Sequence, residues 1–333
     1  MLRIVRAAIR VIGVICVTAP SLLLVLSAAA VAADTYPSRS LRIVAPYGAG
    51  GSYDIVSRIL AQTLSQQLGQ QIVLENRPGA TGRIGMEVGV KATPDGYTMI
   101  VIGSSQAIAP SVHLSVPYDL AKSIMPIMLH GTISYALVIH PSVPAQTVAE
   151  FVALSKAKPG SLRYGSGGTG GITHLAGELF NNLTGADIAH VPYKSGALAT
   201  NALLGNEVQM NLLNMLNVLP HVQGGRIRGL AVTGLKRSQY LPNLPTLDES
   251  GARGYEMIEF HGFAFPAGTP REIVSRMNGE MVKALKTDDL KQRLSQQAFE
   301  PSITTPEEFG AYLLNEQAKY AKIVKAIGLK PEG

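Results

Sequence analysis

Cysteine is almost absent from this chain. The single cysteine, Cys16, lies inside an N-terminal apolar run, and the three residues before it fit a lipoprotein acylation site poorly. If this run is removed on export, the mature protein carries no thiol and no disulfide. A thiol nucleophile, a disulfide framework and a cysteine-bound metal are therefore excluded.

A strong excess of one charge is also missing. The sequence has 29 basic and 23 acidic residues. Arg3, Arg6 and Arg10 precede the apolar run, so the rest of the chain holds 26 basic and 23 acidic residues, a net charge of +3. There is no dense Lys/Arg stripe interleaved with aromatic residues, which argues against a nucleic-acid partner.

Catalytic patterns are lacking as well. None of the seven histidines has H-E-x-x-H or other metal-ligand spacing, and no cysteine supports them. There is no pair of carboxylates for acid–base chemistry and no nucleophile beside a base. We therefore expect a protein that is not an enzyme and that uses no metal or cofactor. The histidines are His113, His130, His140, His174, His190, His221 and His261.

The N-terminus has the pattern of a secretory signal. Three arginines are followed by the apolar residues 11–31, and small residues then allow cleavage after Ala32 or Ala33. The alternative is an uncleaved membrane anchor, since about 20 apolar residues can span a bilayer. Pro20 interrupts the run, which favours cleavage. We expect a signal peptide over residues 1–33 and a periplasmic protein.

One short unit occurs twice. Residues 41–47 read as a strand, residues 48–54 (GAGGSYD) as a glycine-rich turn, and an amphipathic helix then ends at Gly69. The second copy has residues 162–164, the turn 165–171 (GSGGTGG) and a helix that ends at Gly185. Such a turn presents backbone N–H groups at the positive end of a helix and suits an anion. Two copies indicate two lobes that hold one acidic ligand.

Other interpretations of these turns are weaker. Residues 165–170 satisfy G-x-G-x-x-G, but the strand that follows ends at Lys194 and not at an acid, which disfavours a dinucleotide. The first turn lacks the Gly-Lys-Ser/Thr ending of a P-loop, and Asp54 stands where a hydrolase elbow needs glycine. Asp54 is interpreted as a first-turn helix acid. A purely structural role for the glycines stays open.

Strand-like and helix-like segments alternate along the chain, which predicts α/β lobes with largely parallel sheets. A new strand is expected to begin at residue 136, and residues 255–265 read as a strand that returns to the first lobe. We expect lobe 1 to comprise residues 34–134 and 256–333, and lobe 2 residues 135–255. Two segments would cross between the lobes, with the ligand cleft between them.

Several side chains near the turns are candidates to line the cleft. Tyrosines stand at turn edges, hydroxyls follow strands, and His174 opens the second helix; each has an alternative role in packing, turn bonding or capping. Two asparagines follow a strand of the second lobe. The candidates are Tyr47, Tyr53, Tyr193, Ser104, Ser105, Ser166, Thr169, Thr173, His174, Asn214 and Asn217.

Motifs spread over the chain carry a resemblance to a known family. They are residues 44–54 (VAPYGAGGSYD), 75–82 (ENRPGATG), 164–180, 190–194 (HVPYK), 245–251 (PTLDESG) and 264–270 (AFPAGTP). In this order they resemble the Bug proteins, the TctC-like solute-binding components of tripartite tricarboxylate transporters.

The resemblance implies a type II periplasmic-binding-protein fold that closes by a hinge. It implies binding of a small carboxylate, such as a dicarboxylate, tricarboxylate, acidic amino acid or aromatic acid. The bound ligand would be delivered to membrane permease subunits, and the binding protein would be a monomer. A role as ligand sensor for a membrane histidine kinase, or as an enzyme on a phosphorylated substrate, remains as the alternative. The ligand contacts that it implies are Tyr47, Gly50, Gly51, Ser52 and Tyr53, and Ser166, Gly167, Thr169 and Gly170.

The chain departs from the family pattern at four positions. Phe260 stands where the family usually has tryptophan, and Ser195 replaces a common glycine. Asn201 and Ser123 each replace a common aspartate. Phe260 and Ser195 are expected near the cleft, so these two departures are expected to affect which ligand is bound.

Overall fold

The structure is a computed structural model that describes residues 36–331. Residues from Ser40 onward form one compact unit. Within the described range, no helix combines the length and the apolar character that crossing a membrane requires. The predicted signal peptide, residues 1–33, lies outside the described residues.

The elements alternate between strands and helices, as the sequence predicts, and a short 3₁₀ turn covers Ala80–Gly82. The strands are β1 (Leu41–Ala45), β2 (Ile72–Asn76), β3 (Thr98–Gly103), β4 (Ile124–Ile139), β5 (Leu162–Ser166), β6 (Ile188–Pro192), β7 (Met210–Asn214), β8 (Arg228–Val232), β9 (Ile258–Pro266) and β10 (Glu300–Pro301). The helices are α1 (Ser52–Leu68), α2 (Arg83–Val90), α3 (Ser104–Val112), α4 (Val148–Ala157), α5 (Ile172–Thr184), α6 (Gly196–Leu204), α7 (Met215–Gln223), α8 (Arg271–Lys286), α9 (Asp288–Ser295) and α10 (Pro306–Ala326).

Two α/β lobes are joined by two crossing strands. The strand order is β2-β1-β3-β9-β4-β7-β5-β6, with β10 and β8 each paired to β4. The β2-β1-β3 and β7-β5-β6 groups are parallel, whereas β9 and β4 run antiparallel to their neighbours. Since β4 pairs with β9 in its first part and with β7 and β8 in its last part, it belongs to both lobes. The predicted fold class is confirmed.

The prediction that a new strand begins at residue 136 is wrong. β4 is one strand of 16 residues, Ile124–Ile139. Its middle contains His130, Gly131 and Thr132, so the apolar pattern is broken although the backbone stays extended. The pairing with β9 shifts register twice in the first half, and such bulges bend a strand. The long strand is what carries the chain from one lobe to the other.

The doubled unit has the same topology in both lobes. β1 lies between two parallel partners, β2 and β3, and β5 lies between β6 and β7. The helix after each glycine turn ends at a left-handed glycine, Gly69 or Gly185, each with φ of 65°. These are the stops that the sequence predicts. Each glycine turn therefore lies at the carboxyl end of a central strand, where α/β sheets bind ligands.

The middle of the sheet is covered by α10. Phe309 on this helix is fully buried and packs directly over Gly262 of β9. A Cβ atom at Gly262 would clash with the Phe309 ring, so only glycine allows this close approach. The contact fixes the C-terminal helix against one of the two strands that join the lobes.

We predict that Gly262→Ala lowers the free energy of unfolding by about 1–3 kcal/mol, because an extra methyl in a packed core forces side chains to shift. Gly279→Ala is the matched control. Gly279 lies inside α8 with no atom within 4 Å of an added Cβ, so alanine there should stabilise by about 0.5–1 kcal/mol. Urea unfolding measures both. Equal stability of the two variants would contradict the packing described here.

Candidate functional site

A cavity of about 430 Å³ lies where the two glycine turns meet. Both lobes contribute to its wall, and so do the two crossing strands. The lining residues are Tyr47, Gly48, Ala49, Gly50, Gly51, Ser52, Tyr53, Ser105, Tyr135, Gly167, Gly171, Ile172, Thr173, Lys194, Ser195, Gly196, Ala197, Leu213, Asn214, Asn217 and Glu259.

The N-termini of five helices reach this cavity, because residues at the starts of α1, α3, α5, α6 and α7 line it. The first N–H groups of a helix have no partner within the helix. In α6 and α7 the side chains of Ser195 and Asn214 accept one of these hydrogen bonds. In α1, α3 and α5 a glycine occupies the capping position. At the start of α3 the Gln106 side chain accepts from the Gly103 N–H and the Tyr53 hydroxyl accepts from the Ser104 N–H. In α1 and α5 no side chain caps the helix, so these two helix starts present uncapped donors.

At the start of α1, neither Ser52 nor Asp54 is the capping residue. Gly51 is the capping residue, and Ser52 is the first helical residue. Asp54 is buried and its carboxylate accepts from the backbone N–H of Gly50 at 2.9 Å and from Arg58 and Asn76. Burial raises the pKa of Asp54, but these hydrogen bonds outweigh burial and the pKa is lowered. Asp54 is the first-turn acid that the sequence predicts, and it lies outside the cavity wall.

Two tyrosines form one aromatic wall. The rings of Tyr47 and Tyr53 stack with centroids 3.8 Å apart, and Tyr53 stacks in turn on His261 at 4.2 Å. The Tyr47 hydroxyl donates to Gln106, and the Tyr53 hydroxyl accepts from the backbone N–H of Ser104 at 3.0 Å. Burial raises the pKa of both phenols well above the ordinary value. Both side chains are therefore neutral and fixed in place.

A buried carboxylate, Glu259, lies in the cavity wall with only 4% of its surface exposed. It accepts from Ser52 and from His261 Nε2 (2.8 Å) at Oε1, and from Tyr135 (2.9 Å) and Asn214 (3.0 Å) at Oε2. Sheet register brings these groups together, since Tyr135 pairs with Asn214 and Ile133 pairs with Glu259. Burial raises the pKa of Glu259, but the hydrogen bonds lower it below the ordinary value.

Two histidines hold the second glycine turn in place. Ser166 Oγ lies 2.6 Å from His190 Nε2, and the His190 ring stacks on His174 with centroids 4.0 Å apart. His174 Nδ1 accepts from the backbone N–H of Gly170 at 3.1 Å. At the cavity, Thr173 Oγ1 accepts from the Gly167 N–H at 2.9 Å, so its own proton is available to a ligand.

Half of the twelve site residues predicted from the sequence line the cavity: Tyr47, Gly50, Gly51, Ser52, Tyr53 and Gly167. The other six lie behind or beside it. Ser104 is buried and its Oγ accepts from the Phe260 N–H, while the Tyr193 hydroxyl lies 3.4 Å from Glu207. Thr169 is exposed beside the turn, and Ser166, Gly170 and His174 hold the turn together as described above. Any direct ligand contact by these six stays a prediction.

The residues that sequence reasoning missed are Glu259 and Tyr135. A usable signal existed for Glu259, because β9 is apolar apart from this one acid and His261, which follows it by two residues. Nothing in the pattern of β4 distinguishes Tyr135 from a core residue. Asn214, Asn217, Ser105 and Thr173 were candidates from the sequence, and all four line the cavity.

The described residues contain no group of three or more His, Cys, Asp or Glu side chains arranged to hold a metal ion. The polar groups at the cavity are backbone N–H groups, hydroxyls, amides, one carboxylate and the Lys194 amine. Such groups orient and hold a solute through hydrogen bonds.

Two α/β lobes with a polar cleft between them define a solute-binding protein. The profile of the tripartite tricarboxylate transporter family receptor matches residues 56–329, and the chain belongs to this family. The predicted family is confirmed, and it is a family of binding proteins and not of enzymes.

Three relatives illustrate the likeness. Protein BugT of Bordetella pertussis is 34% identical over 305 residues, which are 91% of this chain and 94% of BugT. The structure of R. palustris Rpa4515 with adipate has a TM-score of 0.83 at 32% identity and covers 89% of this chain and 100% of that one. MatC from Rhodopseudomonas palustris with bound malate has a TM-score of 0.77 at 25% identity, covering 87% and 100%.

The stacked histidines predict a pH dependence. Burial, followed by the neighbouring His174, lowers the pKa of His190 from 6.5 to about 4. Between these pH values the unfolded chain binds more protons than the folded one, so stability falls as the pH falls. In His190→Gln, the free energy of unfolding should depend less steeply on pH between 6.5 and 4. The decrease in slope should correspond to at most one proton bound on unfolding. Parallel curves for variant and parent would contradict the burial of this ring.

Proposed function

We propose that this protein captures a small carboxylate in the periplasm and delivers it to the membrane subunits of a tripartite tricarboxylate transporter. The observation that carries the proposal is the convergence of two helix starts without side-chain caps, those of α1 and α5 after the two glycine turns, on one cavity. Free N–H groups and the positive ends of helices both stabilise an anion. The bound adipate and malate of the structural relatives support a carboxylate over other anions.

The carboxylate would be held mainly by the protein backbone. Candidate donors are the N–H groups at the start of α1 (Gly51, Ser52) and of α5 (Ile172, Thr173), together with the Thr173 hydroxyl. A hydrogen bond to a charged group contributes about 1.5–3 kcal/mol. Loss of one such bond would weaken binding roughly tenfold to a hundredfold. Lys194, exposed at the cavity edge, would add a screened attraction.

Binding would be coupled to hinge closure. We propose lobe 1 as residues 34–134 and 256–333 and lobe 2 as residues 135–255, because β4 and β9 cross between the lobes near Ser134 and Ile258. Each lobe supplies one glycine turn, so a ligand that bonds to both turns stabilises the closed form. Closure would give the membrane subunits a surface that differs between the empty and the loaded protein.

The direct test is a thermal-shift screen of the purified protein against small organic acids and non-acidic solutes of similar size. A carboxylate at 100 times its Kd should stabilise the folded protein by about 2.7 kcal/mol. We expect at least one acid to raise Tm, with equilibrium dialysis giving the Kd. If no acid raises Tm while sugars, amines or other non-acidic solutes do, the proposed function is wrong.

A pair of variants tests the second glycine turn. Gly167 lines the cavity, is exposed and does not have a positive φ, and a Cβ atom there would lie 3.3 Å from the Gly196 nitrogen, a tight contact that both variants below share. Gly167→Asp places a negative charge beside the bound anion, whereas Gly167→Asn adds nearly the same volume without charge. We expect the aspartate variant to bind the acid at least tenfold more weakly than the asparagine variant, about 1.4 kcal/mol. Equal affinities would remove this turn from the anion site.

A further inference from the structure

Glu259 is an unexpected group in a cavity that binds an anion. It is one of two charged side chains in the cavity wall of the described structure, the other being Lys194. A carboxylate in the wall repels a ligand carboxylate nearby, and the repulsion is strong where water is excluded. Its position therefore divides the cavity into regions that suit ligand groups of different charge.

The carboxylate of Glu259 fixes the protons of its neighbours. An ionised carboxylate can only accept hydrogen bonds, so Ser52 and Tyr135 must each donate their single hydroxyl proton to it. Tyr135 remains protonated, since burial and then Glu259 raise its pKa well above the ordinary value. Asn214 donates through Nδ2, and its Oδ1 accepts from the Asn217 N–H at 3.2 Å.

The cavity is consequently polarised. At the Glu259 side, Ser52 and Tyr135 can offer only lone pairs to a ligand, because their protons are already used. In the second lobe the uncapped start of α5 offers N–H donors. Lys194 follows β6, and in the strand order β4, β7 and β5 separate β6 from β9, which carries Glu259. The hydroxyls beside Glu259 thus accept hydrogen bonds, whereas the start of α5 and Lys194 donate them.

We propose that the ligand is a small carboxylate that also bears a protonated amine, with the amine directed toward Glu259, Ser52 and Tyr135. This inference rests on the proposed function and names the ligand class within it. The amine donates to the hydroxyl oxygens and is attracted by the carboxylate behind them, while the ligand carboxylate binds at the helix starts. A plain dicarboxylate would leave the acceptors without donors and place two like charges together.

The experiment compares acids that differ only by an amine: glutamate with glutarate, aspartate with succinate, and 4-aminobutyrate with butyrate. Kd values are measured by calorimetry at one pH and salt concentration. We expect at least one amine-bearing acid to bind tenfold or more tightly than its amine-free partner. If the amine-free acids bind as well or better, this inference is overturned and the carboxylate function stands. If only non-acidic solutes bind, both are overturned.

Variants then test whether Glu259 and Ser52 cause the preference for amine-bearing acids. Glu259→Gln removes the charge and should bring the ratio of the two Kd values toward one. Ser52→Ala removes one acceptor and keeps the charge, so it should reduce the ratio less. Glu280→Gln is the control, because Glu280 is also a buried carboxylate, bonded to Gln67 and Lys283 outside the cavity. Its ratio should equal that of the parent.

The ratio separates recognition from folding. A variant that is only less stable loses affinity for both members of a pair, so the ratio stays unchanged. If Glu259→Gln does not fold, Ser52→Ala and the parent chain still decide the outcome. A ratio that is unchanged in a folded Glu259→Gln or Ser52→Ala protein would overturn the assignment of the amine to this side of the cavity.

Discussion

The structure depends on hydrogen-bond donors that the protein itself leaves unsatisfied. Backbone N–H groups at a helix start must find a partner, and the commonest partner is the side chain of a capping Ser, Thr, Asp or Asn. α1 and α5 begin instead after glycines and meet at one cavity. The same glycines leave room for a ligand close to the backbone. In the proposed function, a solute that supplies acceptors there would take the place of the missing caps.

Around this cavity the crossing strands carry a buried hydrogen-bond network. Ser52 belongs to the first lobe, Asn214 to the second, and Tyr135 and Glu259 to the strands that join them. All four meet in one buried hydrogen-bond network. A buried carboxylate with four donors is held firmly, because removal of any donor leaves a lone pair without a partner. The network therefore ties the crossing strands to the cavity wall.

The sequence predicts the two strand–turn–helix units well because the residues that specify them are neighbours in the chain. Glycine stops, apolar periodicity and the two turns identify β1, α1, β5 and α5 to within a few residues. Long-range pairing is harder. From the sequence, β4 is predicted to begin too late because His130, Gly131 and Thr132 interrupt its apolar pattern, and the Glu259 network joins positions far apart in sequence through register alone. Side chains beside a turn are found from the sequence, but their direction depends on packing: Ser52 faces the cavity, whereas Ser104 and Ser166 bond inside the protein.

The most direct test of the central claim is a crystal structure of the protein with the ligand that copurifies with it. The account predicts a carboxylate whose oxygens lie about 2.7–3.2 Å from backbone N–H groups at the starts of α1 and α5. A ligand carboxylate bound through the Lys194 side chain alone, or a ligand seated outside this cavity, would contradict it.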